Sequence, residues 1–305
     1  METLTEKLKY DPWDAKQNIA DITVKIHCAR YWMLSEWECK NMSFPFWRLY
    51  HSRSGGSYVI LNDREVELAQ DKLILIPPYT PFSTRLKSRG SIVNESIKGL
   101  RISNDSEIYQ LQQDGFSDQL FIHFNLGYPM DGIKSEMQEI KIDDYWKEQV
   151  SQIEKNRLLS PNQLDFSESI KVTGLILHAL QSIPNISISN RATDDRIMKV
   201  ISYIDQNIDQ NITNNDLSNM VNLATSSFAR LFKDSLKCST QQYIQKKRIE
   251  NAILFLHYSD FEIDEISSKC GFYDRHHFSK IFKKQTGLAP ANYRKMVKQE
   301  IKVNV

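Results

Sequence analysis

Two stretches near the C-terminal end carry side chains whose types and spacing suit hydrogen bonding to a polyanion. In residues 274–287, DRHHFSKIFKKQTG, the side chains of His276, Ser279, Lys280 and Lys283 fall at i, i+3, i+4 and i+7, a single stripe of a helix. Phe278, Ile281 and Phe282 fall on the opposite face. Residues 224–237, ATSSFARLFKDSLK, repeat the pattern at an offset of 50 residues. There Phe228, Leu231 and Phe232 make the apolar face, and Ser226, Ala229, Arg230 and Lys233 the polar stripe. Arg and Lys bond guanine edges or phosphates, His and Ser donate to base edges, and an alanine methyl can meet a thymine methyl. A helix about 10–12 Å across fits a major groove about 12 Å wide. Each segment follows another short amphipathic piece, 215–223 before the first and 263–270 before the second. The pattern predicts helix, tight turn and basic-faced helix, twice over, with Asp274 as an N-cap.

Other chemistries find little support. His27, His51 and His123 stand apart, no His-x-His occurs, and His276-His277 lies in the helical region. A metal-dependent barrel enzyme needs clustered histidines, so neither metal, cofactor nor catalytic residue is expected. Cys28, Cys39, Cys238 and Cys270 form no Cys-x-x-Cys and read as reduced thiols. A small-molecule pocket is better supported. Trp47, Tyr50, Arg85, Gln119, Phe121 and His123 combine aromatic faces with hydroxyl-binding groups and are the candidate ligand contacts, a sugar being the favoured ligand. Gln119, Phe121 and His123 alternate onto one strand face, so they enter a pocket together or not at all.

These side chains need elements to hold them. Residues from about 21 to 126 hold short β-branched and aromatic runs: 47–50, 57–61, 64–68, 72–76 and 119–126. Asn62-Asp63 marks a hairpin, and Pro77-Pro78 stops a strand. Many short strands predict an antiparallel sandwich or small barrel. The period then turns helical over 143–159 and 164–183, and again beyond a polar stretch at 183–193. The 305 residues, 41% hydrophobic and 25% charged, suffice for two cores. The formal charge of +1 hides an uneven distribution: residues 224–298 hold 14 Lys and Arg against 7 Asp and Glu. No run of about 18 apolar residues spans a membrane, and the N-terminus lacks an apolar signal core, so a cytoplasmic location is expected.

Several runs together resemble the DNA-binding domain of AraC/XylS-type bacterial transcription regulators. They are Ile249-Glu-Asn-Ala252, Ile263–Ser267, Gly271-Phe-Tyr-Asp274, Phe278–Lys284 with Gly287, and Pro290-Ala-Asn-Tyr-Arg294. The resemblance covers about residues 194–298. It implies two helix-turn-helices joined by a long helix near 240–258, with base reading through Ser226, Ala229, Arg230, Lys233, Arg275, His276, Ser279 and Lys280, and Lys283 in the same stripe. The first motif departs from the family pattern, with Ala224 in place of the usual capping Ser and Lys237 in place of the terminal Gly. Residues 58–66, 71–78 and 123–124 follow the order seen in cupin-like effector domains of sugar-responsive members.

The expected fold is therefore α+β. A cupin-like effector-binding and dimerisation barrel with a helical hairpin occupies 1–182, a linker 183–193, and an all-α double helix-turn-helix domain 194–305. The expected partners are double-stranded promoter DNA, a small-molecule effector, RNA polymerase and a second copy of the chain, without a membrane. Alternatives stay open at this level. The helices at 143–183 could pack on their own barrel instead of a partner. The barrel could be a ligand-free oligomerisation module, or the chain a cupin enzyme or sugar-binding protein with an incidental basic end.

Overall fold

The computed structural model describes residues 22–86, 96–100, 105–133, 135–160, 163–183 and 194–299. Its N-terminal part is one antiparallel sheet of nine strands: β1 (Lys25–Met42), β2 (Trp47–His51), β3 (Ser57–Leu61), β4 (Arg64–Glu67), β5 (Lys72–Ile76), β6 (Phe82–Leu86), β7 (Ser96–Leu100), β8 (Ser117–Asn125) and β9 (Gln138–Lys141). They run in the order β4-β3-β6-β1-β8-β2-β5-β9, with β7 also on β1. The order does not close, so the expected barrel is an open half-barrel. The 18-residue β1 joins its two sides. Its first part pairs with β8, Lys25 opposite Asn125 through Leu34 opposite Ser117, and its last part with β6. Irregular register between Leu34 and Glu36 and between Cys39 and Met42 gives the bulges that bend one strand through both. The hairpin at Asn62-Asp63 is present, both residues at positive φ as its two-residue turn requires.

Each face of this sheet has its own covering. The outer face, with Ala29, Met33, Trp47, Leu120, Ile122 and Phe124, packs on α2 (Asp144–Leu159) and α3 (Phe166–Gln181). Sequence periodicity had marked both helices. The short α1 (Asp105–Gln113), lying within the strand-rich region, it did not. A buried ionic group fixes α2: Glu154, with no accessible surface, accepts from His51 Nδ1 at 2.7 Å and from the Arg53 guanidinium. Removing one partner of such a group would strand a buried charge, which is why it holds position strongly. Arg157 pairs with Glu168 and so joins α2 to α3.

Residues 194–299 are helical: α4 (Asp195–Gln206), α5 (Asn214–Met220), α6 (Thr225–Leu236), α7 (Thr240–Tyr258), α8 (Ile263–Lys269), α9 (Arg275–Thr286) and α10 (Pro290–Gln299). The expected linker falls outside the described residues except for Ile183, which ends the α3 core. Two helix-turn-helices result, α5–α6 and α8–α9, with α7 between them. The first owns a separate core of Ile197, Ile201, Leu217, Phe228 and Phe232, closed by Tyr243 and Ile244 from α7. The second packs Phe278, Phe282 and Tyr293 against Ile249, Ala252 and Leu256 of α7, and this cluster runs on into the inner face of the half-barrel.

Arg248 of α7 holds the two motifs together. Its Nε donates to the Ile208 carbonyl at 3.0 Å and its Nη2 to the Gln210 carbonyl at 2.6 Å, both beside the first motif. The same guanidinium lies 6.0 Å from the Phe272 ring centroid of the second. Gly271 makes this approach possible: it sits at φ +73°, and a Cβ there would lie 2.6 Å from the Ile208 oxygen.

Local signals at the helix ends are realised differently in the two motifs. Asp274 caps α9, accepting from the His277 amide at 2.7 Å, whereas Ala224 gives α6 no side-chain cap. Lys237 ends α6 in the left-handed conformation, φ +59°, where Gly287 ends α9. Lys237→Gly should therefore raise stability by about 1 kcal/mol, and Ala224→Ser by about 1 kcal/mol through a new cap. Urea unfolding followed by circular dichroism checks both, and the gains should add.

Candidate nucleic-acid interface and barrel cavity

The duplicated register seen in the sequence is also a duplicated pattern of burial. Along α6 and α9, Phe228 and Phe232, then Phe278 and Phe282, have no accessible surface. Ser226, Arg230 and Lys233, then Arg275, His276, Lys280 and Lys283, are exposed, with Ala229 and Ser279 half-buried at equivalent places. The fold thus uses the apolar stripe of each helix and leaves the polar stripe outward. Among the described residues, Arg230, Lys233, Lys280 and Lys283 take part in no ion pair. Arg275 differs, its Nη1 lying 3.1 Å from Asp264 Oδ2 of α8. Free cations on a helix face can meet phosphates at no cost in broken internal pairs, whereas Arg275 must first leave a carboxylate.

The inner face of the half-barrel encloses a cavity of about 700 Å³, counting its open mouth. Tyr50, Phe121 and His123 line it, so three of the six ligand candidates come together there. Gln119 shares their strand face and is fully buried; neither of its amide atoms has a hydrogen-bond partner among the described residues. Gln119 does not reach the cavity lining, and the structure does not bring Trp47 or Arg85 to the cavity either. Trp47 is three residues from Tyr50 on one strand, hence on the opposite face, where it packs against the outer core and donates Nε1 to Asp131 at 3.0 Å. Arg85 alternates outward from Phe82, Thr84 and Leu86 and pairs with Glu65.

Much of the lining carries no mark in the short strand motifs. Cys28, Arg30, Trp32 and Leu34 line the cavity from alternate positions of β1, a period visible in the sequence. Trp37 also lines it, because the bulge after Leu34 exchanges odd for even positions. His257, Tyr258 and Val297 come from the helical part and could not be assigned to a barrel cavity by any local pattern. The last turn of α7 enters the mouth of the half-barrel. His123 Nδ1 and the Tyr258 hydroxyl are 2.6 Å apart, and the His27 and Tyr258 rings stack with centroids 6.0 Å apart. His257 meets the edges of Phe44 and Phe46 and shares a hydrogen bond with Tyr293. Farther along α7, Glu250 accepts from the Tyr79 hydroxyl.

This junction is buried, and its titratable groups respond. Burial, then the charges of Arg48 and Arg30 and the neighbouring imidazoles, hold His123 and His257 well below the usual histidine range. Burial likewise lowers His27, against the Asn125 hydrogen bond that favours its charged form. It raises the Cys28 thiol and the Tyr258 phenol, so neither ionises near neutrality. Among the described residues no cluster of three or more His, Cys, Asp or Glu side chains gathers to hold a metal ion, and no helix is long and apolar enough to cross a membrane.

Residues 217–296 match the family of helix-turn-helix domains. Curated relatives include uncharacterized HTH-type transcriptional regulators of Staphylococcus aureus, 29% identical over 215 residues, 63% of this chain. The chain spans only 27% of the length of those relatives. The raffinose operon transcriptional regulatory protein RafR of Pediococcus pentosaceus is 34% identical over 97 residues, 32% of this chain and 35% of that protein. Among solved structures, the C-terminal domain of AraT, a response regulator from Geobacillus stearothermophilus, is 27% identical over 34% of this chain and 86% of its own, with a TM-score of 0.33. ToxT from Vibrio cholerae is 13% identical, aligns over 90% of this chain and 98% of its own, and has a TM-score of 0.46.

The depressed imidazoles have a stability consequence of definite sign. Unfolded histidines take up protons as pH falls through about 6.5, whereas folded His123 and His257 do not, so the unfolded state binds more protons. Stability should be level above pH 7 and fall between pH 7 and 5, each histidine contributing a slope of up to about 1.4 kcal/mol per pH unit. Urea midpoints across that range check this, and His257→Gln should flatten the curve.

Proposed function

We propose that the protein is a cytoplasmic, sequence-specific transcription regulator of the AraC type, a reading supported by the match of residues 217–296 to the family of helix-turn-helix domains. Two successive major grooves receive α6 and α9. Ser226, Ala229, Arg230 and Lys233 read one segment, and Arg275, His276, Ser279 and Lys280 the other, with Lys283 toward the phosphates. The observation that carries this reading is the twofold burial pattern, which leaves Arg230, Lys233, Lys280 and Lys283 exposed at equivalent positions. An ordinary solvated helix has no reason to repeat its exposed face after 50 residues.

The half-barrel acts as the sensor in this reading, with a small-molecule effector held among Tyr50, Phe121 and His123. Arg30, Arg48 and His123 among the lining side chains support a ligand with polar groups. A sugar draws its support from the name of the raffinose operon regulator. Tyr258 belongs to both the cavity wall and the helix joining the two reading motifs, so an effector that binds one docked arrangement better shifts the population of the reading head. RNA polymerase is the partner whose access to the promoter this shift would govern.

Dimerisation through α2 and α3 is supported by their two-sided use. Val150, Ile153, Val172 and Ile176 pack on the chain's own sheet, while Phe166 and Ile170 remain 82% and 57% exposed. An exposed apolar stripe of this kind suits a second copy.

On a duplex enriched from a random library by the unaltered chain, Arg230→Ala and Lys280→Ala should each weaken binding about tenfold. Each should also lower the slope of log affinity against log salt by about 1. Gel-shift titration at several salt concentrations measures both quantities, and unchanged affinity in both variants would refute the assignment. The sensor role is checked by melting the full chain with a panel of sugars: an effector should raise Tm in a saturable way.

A further inference from the structure

The turns of the two helix-turn-helices differ in length by one residue, and the second turn holds a side chain that is almost wholly exposed. Helices α5 and α8 both have seven residues, and α6 and α9 both have twelve. The turn between them runs over 221–224 in the first motif and over 270–274 in the second. Asn222 and Gly271, both at positive φ, stand at the same point of each turn, two residues after the helix ends. In the first motif Leu223, partly buried against its core, then leads directly to Ala224 at the N-cap. In the second, Phe272 takes the core position, Tyr273 follows, and Asp274 is the N-cap.

Tyr273 is 98% exposed, the most exposed of the large hydrophobic side chains among the described residues. Among those residues its ring packs on no other ring and its hydroxyl has no hydrogen-bond partner. It stands directly before the N-cap of α9, next in the chain to Asp274, Arg275 and His276, all of them exposed. In a helix-turn-helix, the N-terminal residues of the second helix meet base edges, so the side chain just ahead of them lies against the sugar–phosphate wall of the groove. Tyrosine suits that wall, since its hydroxyl donates to a phosphate oxygen while its ring covers deoxyribose. The helix that follows it carries Arg275, Lys280, Lys283 and Lys284 within residues 275–284 and no acidic side chain there, which argues for duplex DNA as the surface that covers this ring.

We propose that Tyr273 is a DNA-contacting residue of the second motif, its hydroxyl bonded to a phosphate and its ring packed on the adjoining sugar, with no counterpart in the first motif. The proposal rests on the DNA-binding reading of α6 and α9. It makes the second motif the more strongly anchored of the two. Being uncharged, Tyr273 adds affinity without releasing a counterion, unlike Lys280.

The test uses the full chain and the library-enriched duplex. Tyr273→Ala should weaken binding about five- to tenfold, and Tyr273→Phe should keep part of that loss by restoring the ring without the hydroxyl. Neither should alter Tm, because the side chain is exposed, nor the salt slope, because no charge is removed. Affinity unchanged in Tyr273→Ala, in a protein that Arg230→Ala and Lys280→Ala do weaken, would overturn the proposal and leave the DNA-binding reading standing. A loss of affinity with an equal loss of Tm would also overturn it, by showing a structural role. If none of the four substitutions weakens binding, the DNA-binding reading itself falls.

Discussion

The rest of the molecule depends on the insertion of the last turn of α7 into the mouth of the half-barrel. His257 and Tyr258 fill a space between Phe44, Phe46, His27 and His123 that the nine strands leave open. Because the sheet does not close, its inner face needs a cover, and the cover is the helix that also joins the two basic-faced motifs. One apolar cluster consequently runs from Trp37 and Tyr50 in the strands to Phe278 and Phe282 under α9. Close-packed interiors move between discrete arrangements rather than deforming smoothly, so occupancy of the cavity and the pose of α9 are parts of one packing problem.

The first motif stands outside that cluster. Its core of Ile197, Leu217, Phe228 and Phe232 is separate, takes Tyr243 and Ile244 from α7, and has Tyr128, from just after β8, packed against it. The two motifs thus differ in what they are attached to as well as in their caps and turns. A change in barrel packing reaches α9 through side chains of one shared cluster, and reaches the first motif through Tyr128, which packs on its core, along α7 and through Arg248.

Helical signals were the most legible in the sequence, for a physical reason. A helix face is set by residues three and four apart, so the phenylalanine pairs at 228 and 232 and at 278 and 282 fixed which side was buried, without reference to the rest of the chain. Lys237 could likewise be placed in the left-handed region by its position at a helix end. The strand faces were harder. Alternation separates Trp47 from Tyr50 within β2, but naming the inner face requires knowing what covers the other, and α2 and α3 lie about 100 residues away. In β1 a bulge exchanges the parity between Leu34 and Trp37, which no count by twos anticipates. The contributions of His257, Tyr258 and Val297 to the cavity are tertiary facts, and Arg248 in the sequence looks like one more cation on a basic helix.

Arg248 gives that basic helix an unexpected property. Its partners are the carbonyl oxygens of Ile208 and Gln210, dipoles of the backbone rather than carboxylates. Ion pairs at a surface loosen as mobile ions screen them, whereas a short hydrogen bond to a carbonyl is far less sensitive to that screening. In the proposed DNA-binding role, ionic strength would then act on how tightly the protein holds a duplex and leave the spacing of α6 and α9 nearly alone. A cell whose salt content swings with its surroundings would keep a ruler of constant length, gripped more or less firmly.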